Sequence, residues 1–481
     1  MDPVRGHPDS VGGSGGWSPA SRAVATSPVA SYLLPDSAET SADGRLLVAG
    51  VDMVELAHEV GTPVFVYDEG HLRARCREAV SAWGEGVAYA SKAFLCKAMA
   101  SIACEEGMWL DVSTGGEMQV ALAAGVPPSR LVLHGNNKSA AELEAAISVG
   151  VGRLVVDSFD EIDRLARIVG SPRSWPSQGG DDALRRGAGA LEQAHFGQAQ
   201  GSARTGDQQV MVRVTPGIEA HTHEFVRTGQ DDSKFGFSLS SGAAGEAVRR
   251  LSGLSGVQLV GVHAHIGSQV FVVDFFEREV DALAPFFIAT GLKELCVGGG
   301  LGVPYVAGEA APSIGEWAAA VKEACALSGI PAGTRITAEP GRSVVATAGL
   351  TLYTVGTIKE LPGLRTYVAV DGGMSDNPRP VLYGSGYEAF MPREVASDRT
   401  LPVRVVGKHC ESGDVLVADG MVPADIVVGD VLAVPVTGAY GYSMASTYNK
   451  VPRPPVVLVS DGSWRVVVRR ETYEDLLRLD G

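Results

Sequence analysis

The sequence predicts an α/β chain, a (β/α)8 barrel followed by an all-β domain, on three observations. Eight apolar, β-branched runs occur at 87–92, 110–113, 131–134, 153–157, 210–215, 259–265, 295–300 and 334–339. Stretches of helical period rich in Ala, Leu and Glu lie between most of them, at 116–124, 140–149, 161–168, 274–287 and 314–327. Such alternation puts parallel strands in one sheet with helices outside, and eight repeats close it. Beyond Arg342 the helical period nearly vanishes, and short strands follow at 352–358, 366–370, 403–406, 415–417, 431–436, 456–459 and 464–469, then a short helix at 473–479.

These elements divide the chain into a barrel over 71–342 and a β-sandwich or barrel-like domain built from 343–481 together with 36–70. The segment near 46–48, and the region up to Tyr67, is expected to add a strand to that second domain. Residues 1–30 are rich in Gly, Ser and Pro and read as a disordered leader. The stretch 170–209 has few large apolar residues and reads as a flexible surface insertion in the barrel.

A net charge of −16, from 40 basic and 56 acidic residues, opposes binding to nucleic acid or anionic membranes and favours a small-molecule partner. No apolar run reaches the roughly 18 residues of a membrane span. The six cysteines form no CxxC pair and fit a reducing compartment, so a cytoplasmic location is expected.

Polar residues stand at the carboxyl ends of nearly all eight strands: Lys92, Asp111, His134, Asp157, His265, Ser268, Gly298, Gly299, Gly300, Glu339 and Arg342. That end of a barrel builds the active site. A lone lysine is ordinarily a solvated charge. Lys92, however, shares a strand face with the small residues Ala88 and Ala90, which leave room for a ligand, and burial there is expected to lower the amine's pKa and supply a Schiff-base nucleophile. The run Gly298-Gly299-Gly300 can turn backbone N–H groups toward an anion, with Ser268 and Arg342 as further phosphate donors. Glu339, opening Glu339-Pro340-Gly341-Arg342, can pair with a protonated pyridine nitrogen, and His265 can stack flat on such a ring.

Two other patterns bear on function. Cys410 sits among Lys408, His409, Glu411 and Asp414, polar company that suits proton transfer, and Arg379 lies in a Gly/Pro loop suited to binding a carboxylate. The pairs His263/His265 and His221/His223 have His-x-His spacing and support a rival metal-hydrolase reading, which leaves the lysine, the glycines and Arg342 without a joint purpose. No metal is assigned.

Tyr89-Ala-Ser-Lys92, His134-Gly-Asn-Asn-Lys-Ser139, Val156-Asp-Ser-Phe-Asp160, His263-Ala-His-Ile-Gly-Ser-Gln269, the triple glycine, Glu339-Pro-Gly-Arg342 and His409-Cys-Glu-Ser-Gly-Asp414 together resemble the diaminopimelate decarboxylases. These are fold-type III pyridoxal 5'-phosphate enzymes related to ornithine decarboxylase and alanine racemase. The likeness runs from about residue 45 to the end, outside the insertion. It implies that Lys92 carries the cofactor, with Asp111, His265, Ser268, Gly298, Gly299, Gly300, Glu339, Pro340, Gly341, Arg342 and Tyr440 around it. It further implies that Arg342, Arg379 and Tyr383 hold substrate carboxylates, Glu411 the distal amino group, and that Tyr440 touches cofactor and substrate. Cys410 matches the proton donor, on a loop supplied by the second subunit of a homodimer. The implied reaction converts meso-2,6-diaminopimelate to L-lysine and carbon dioxide, the last step of lysine biosynthesis. The alternatives are a related ornithine, arginine or carboxynorspermidine decarboxylase, or a non-catalytic pyridoxal-phosphate-binding homologue.

Overall fold

The computed structural model describes residues 28–170, 206–217 and 233–481. The expected leader up to residue 27, the expected insertion between 171 and 205, and the pair His221/His223 lie outside the described residues.

Eight strands form one parallel ladder in chain order: Ala88–Ala90, Trp109–Val112, Leu131–Leu133, Arg153–Val156, Gln208–Thr215, Val257–His263, Glu294–Cys296 and Arg335–Thr337. All eight coincide with runs read from the sequence. Ala88 N donates to Ala338 O and Ala90 N to Pro340 O, both at 3.0 Å, so the first strand meets the segment after the eighth and the ends of the sheet are brought together. The helices between strands include Gly115–Ala123, Ala140–Val149, Phe159–Gly170, Asp274–Thr290 and Ile314–Leu327, each within a few residues of its expected span. Capping boxes fix the starts of two of them: Ser139 with Glu142 and Ser313 with Glu316 satisfy otherwise orphaned N–H groups.

The barrel is filled from alternate positions. Ala88, Val132, Val155, Met211 and Cys296 pack together against Trp109. Below them Arg153, the first residue of the fourth strand, forms a two-pronged pair with Glu294, the first of the seventh, at 2.6 and 2.9 Å. Arg335, opening the eighth strand, pairs with the same carboxylate. The N-terminal mouth is thereby blocked by paired charge, and the C-terminal mouth remains open.

The second sheet centres on the strand Gly349–Leu361. Its first half pairs antiparallel with Val64–Asp68 on one side and Val431–Pro435 on the other, and its second half with Arg365–Val370. Val64–Asp68, buried along its whole length, thus joins this sheet from far upstream. Leu46–Val48, expected in the same sheet, instead lies between Ala38–Thr40 and Val51–Asp52 in a small three-stranded sheet, because close turns on both sides give it local antiparallel partners.

Candidate active site

At the open mouth lies a cavity of about 310 Å³ lined by the ends of six or more strands. Ten of the residues expected to hold cofactor or substrate line it: Lys92, Asp111, His265, Ser268, Gly299, Gly300, Glu339, Gly341, Arg342 and Tyr440. Gly298 and Pro340 stand behind the wall through backbone hydrogen bonds, Gly298 O accepting from Glu339 N at 2.6 Å and Pro340 O from Ala90 N.

Lys92 lies in the short 3-10 turn Ser91–Ala93 after the first strand. The sequence placed it in the strand and buried; the structure leaves it exposed at the cavity, just beyond the strand end, beside the small side chain of Ala90. Tyr440 N donates to Ala93 O at 2.7 Å, so a loop of the second sheet is tied to the lysine turn. Tyr440 holds a left-handed φ of 59° there, a conformation that a bulky side chain adopts only when its surroundings enforce it.

The glycine run is built by close approach. A Cβ on Gly298 would sit 2.5 Å from Ala264 O, and those on Gly299 and Gly300 would collide with Glu339 O and Gly267 O. Gly299 N donates to His265 Nδ1 at 3.2 Å, which fixes the imidazole at the cavity wall. Across the mouth Arg342 Nη2 donates to Ser268 Oγ at 3.0 Å, and Arg342 Nη1 to Tyr305 OH at 2.6 Å. Arg342 Nε is buried without a protein partner among the described residues.

Glu339 lines the cavity and is also held by two imidazoles. His134 Nε2 lies 2.8 Å from Glu339 Oε1, and His263 Nε2 lies 2.9 Å from Oε2. Burial raises the carboxyl's pKa, but the two imidazoles outweigh it and hold Glu339 well below the usual carboxylate range. Burial pushes His265 well below the usual imidazole range and His263 down to about 4. His263 and His265, the pair behind the metal reading, have different partners, since Nε2 of the first faces Glu339 and Nδ1 of the second faces the Gly299 amide.

Arg379 is buried outside the cavity lining, with Nη1 2.5 Å from Tyr387 OH and its guanidinium carbon 4.1 Å from the Tyr305 ring centre. Tyr305 therefore joins the two arginines expected to hold carboxylates. Tyr383 ends the short helix Arg379–Tyr383 and does not line the cavity.

Cys410 and Glu411 are both exposed, and neither reaches the cavity of their own chain. Their loop is nonetheless well fixed. Asp414 accepts from His409 N at 2.8 Å and from Met374 N at 2.6 Å, His409 Nε2 pairs with Ser375 Oγ at 2.8 Å, and Asn449 Oδ1 accepts from Cys410 N at 3.3 Å.

Sequence reasoning assigned no role to Arg213 or Phe235, placed His134 only among the polar residues at strand ends, and gave His263 only as a rival metal ligand; all four line the cavity. A signal was present for Arg213. It stands two residues after Met211, a barrel-filling side chain, so period two turns it inward as a cation in the otherwise apolar run 210–214. In register beside it on the sixth strand is His263.

The comparisons with known proteins agree on one family. The model of the pyridoxal binding domain of pyridoxal-dependent decarboxylases matches residues 69–346, a span that holds every cavity-lining residue except Tyr440. Diaminopimelate decarboxylase of Mycobacterium tuberculosis is 45% identical over 457 residues, covering 91% of this chain and 95% of its own. That of Bacillus subtilis is 42% identical over 455 residues, with 91% and 95% covered. Among solved structures, diaminopimelate decarboxylase of M. jannaschii in complex with L-lysine superposes with a TM-score of 0.79 at 30% identity, over 93% of this chain and 98% of that one. A lysine/ornithine decarboxylase from Vibrio vulnificus, 20% identical with a TM-score of 0.66 over 85% and 98%, shares the fold. Identity sustained over nine-tenths of the chain, through both the barrel and the sheet that follows it, establishes that the chain belongs to the diaminopimelate decarboxylase family.

Proposed function

We propose that this chain decarboxylates meso-2,6-diaminopimelate to L-lysine and carbon dioxide as a pyridoxal 5'-phosphate enzyme, with two subunits sharing each active site. The observation that carries the reading is the meeting of Lys92, the Gly299-Gly300 loop, Ser268, Arg342 and Glu339 around one cavity. The residues present fit the cofactor. A glycine loop whose Cβ positions are all filled by neighbouring atoms, beside an arginine with a buried unpartnered Nε, suits a phosphate. An exposed lysine suits an aldehyde, and an anionic Glu339 suits a protonated pyridine nitrogen.

When bound, the cofactor supplies an electron sink for the pair left by the departing carboxylate. The chain's residues bind, orient and move protons. Lys92 would hold the cofactor covalently and give way to the substrate amine. Ser268, Gly299, Gly300 and Arg342 would hold the phosphate end, and His265 would lie beside the ring. Arg342, Arg379 and Tyr383 would take substrate carboxylates, with Tyr440 against cofactor and substrate; the orientation so imposed decides which bond breaks. Cys410 of the partner subunit returns a proton to the reacting carbon, and Glu411 of the partner subunit receives the distal ammonium. Support for the shared site is that both residues are exposed on a firmly held loop and line no cavity of their own chain. An anion and a cation at the distal end favour diaminopimelate over a simple diamine precursor such as ornithine, which needs only the anion.

No helix among the described residues is long and apolar enough to cross a membrane. With the lack of CxxC pairs, this supports a cytoplasmic setting. The test is to supply purified protein with pyridoxal phosphate and meso-diaminopimelate and to assay lysine and carbon dioxide together, with ornithine and arginine in parallel. Equimolar lysine and carbon dioxide are expected. Release of carbon dioxide from ornithine or arginine alone overturns the substrate assignment, and inertness toward all three overturns the enzyme reading.

A further inference from the structure

We infer that His134 is a positioning residue for Glu339: held between Asp111 and Glu339, its imidazole orients the buried carboxylate and keeps it anionic toward the cavity. The inference rests on the reading of Glu339 as the partner of a pyridine nitrogen.

Four strands bring these groups together. Asp111 belongs to the second barrel strand, His134 follows the third and is anchored by its own N–H to Val112 O at 2.8 Å, His263 ends the sixth, and Glu339 follows the eighth. His134 Nε2 lies 2.8 Å from Glu339 Oε1 and 3.7 Å from Asp111 Oδ1. A single N–H cannot serve both well, so the hydrogen bond goes to Glu339 and Asp111 acts through its charge. Asp111 Oδ1 accordingly has no hydrogen-bond partner among the described residues.

The two imidazoles on Glu339 are not equivalent. An ionised carboxylate only accepts, so each Nε2 facing it carries the hydrogen. His263 Nδ1 is buried without a partner among the described residues; protonating it would create a buried, unpaired donor. His263 is thus the neutral neighbour, in line with the downward push that burial gives it. At His134 burial also works against the charge, but Asp111 and Glu339 outweigh it and hold the imidazole above its usual range. The groups facing His134 are Asp111, Glu339, His263 and Arg213, the last a cation that opposes its charge; the two carboxylates, at 3.7 and 2.8 Å, prevail over it.

The consequence concerns ligand binding. A carboxylate sealed in this wall without a cationic partner would take up a proton and could no longer accept from a protonated ring nitrogen. Each Glu339 oxygen retains a further lone-pair direction after its imidazole bond, so His134 can brace the carboxylate without blocking the ring.

The test compares His134→Phe, which removes donor and charge, with His134→Gln, which keeps a donor. Apoprotein is titrated with pyridoxal 5'-phosphate and with its carbocyclic analogue, in which C–H replaces the ring nitrogen, and dissociation constants are read by calorimetry. The expected result is that H134F weakens pyridoxal phosphate by about tenfold. H134Q, which keeps the donor but loses the charge, should show a loss between those of H134F and wild type, and neither variant should change binding of the analogue. Equal losses for both ligands in H134F, or in H134Q if H134F does not fold, would overturn the inference by making His134 merely structural, as would no loss for either. Should wild-type protein bind the two ligands equally well, the reading of Glu339 itself fails, an outcome distinct from all the others.

Discussion

The hydroxyl of Tyr305 accepts a hydrogen bond from Arg342 Nη1 at 2.6 Å, and the same ring lies against Arg379. Two cations far apart in the chain are thereby held at one side of the cavity by a residue that carries no charge.

Tyr305→Phe keeps the ring and removes the acceptor, leaving a buried guanidinium N–H unpaired. A hydrogen bond to a charged group contributes roughly 1.5–3 kcal/mol, so substrate binding is expected to weaken by about tenfold or more. Steady-state kinetics should show a raised KM for diaminopimelate with unchanged cofactor content. A fall in cofactor content instead would place Tyr305 on the phosphate side.

Lys92→Ala is expected to abolish covalent attachment of pyridoxal phosphate. Borohydride reduction of the loaded protein followed by mass spectrometry should find the cofactor mass on wild-type chains and none on the variant. A variant still labelled would move the linkage to another lysine.

Cys410→Ala should slow product formation while sparing cofactor content, because it replaces none of the residues that line the cavity. Co-expression of Lys92→Ala with Cys410→Ala chains tests the shared site. Random pairing gives half mixed dimers with one intact site each, so about a quarter of wild-type activity should return. No recovery in verified mixed dimers would place Cys410 and Lys92 of one chain in one site.

Asp376 is buried, accepts from Tyr353 OH at 2.6 Å, and is pushed up to about 7 by burial from 3.8. Its folded pKa lies above its unfolded one, so its contribution is full below pH 3.8 and is lost as pH rises toward about 7. The loss is at most about 1.4 kcal/mol per pH unit in that window. Asp376→Asn should flatten this part of the profile, read as denaturation midpoints at about pH 5 and about pH 8. Equal pH dependence in both proteins would refute it.

Glu279, on the helix Asp274–Thr290, is fully buried, and neither carboxyl oxygen has a partner among the described residues. Burial pushes its pKa well above the usual range. Replacement by Met, of similar length, removes an unsatisfied polar group and is expected to stabilise by about 1–3 kcal/mol. Thermal melting should rise; an unchanged or lowered midpoint would mean that the carboxyl contributes to the native state.

The sequence alone determined the elements that depend on near neighbours in the chain. Period-two apolar runs and capping residues such as Ser139 and Ser313 place strands and helices by local sterics and hydrogen bonding. A barrel collects strand ends at one mouth whatever their separation in sequence, so Lys92, Ser268, Gly300, Glu339 and Arg342 could be assigned together before any distance was known. Tertiary structure decided what depends on which groups finally touch. It gave Glu339 two imidazole partners, turned Arg213 inward, and joined Arg342 to Arg379 through Tyr305. It left Lys92 exposed, and kept Cys410 and Glu411 outside their own chain's cavity. It also carried Val64–Asp68 into the centre of the second sheet while Leu46–Val48 took a local partner. Hydrogen bonds and ion pairs act over a few ångströms between residues tens to hundreds of positions apart, and no pattern along the chain encodes those distances.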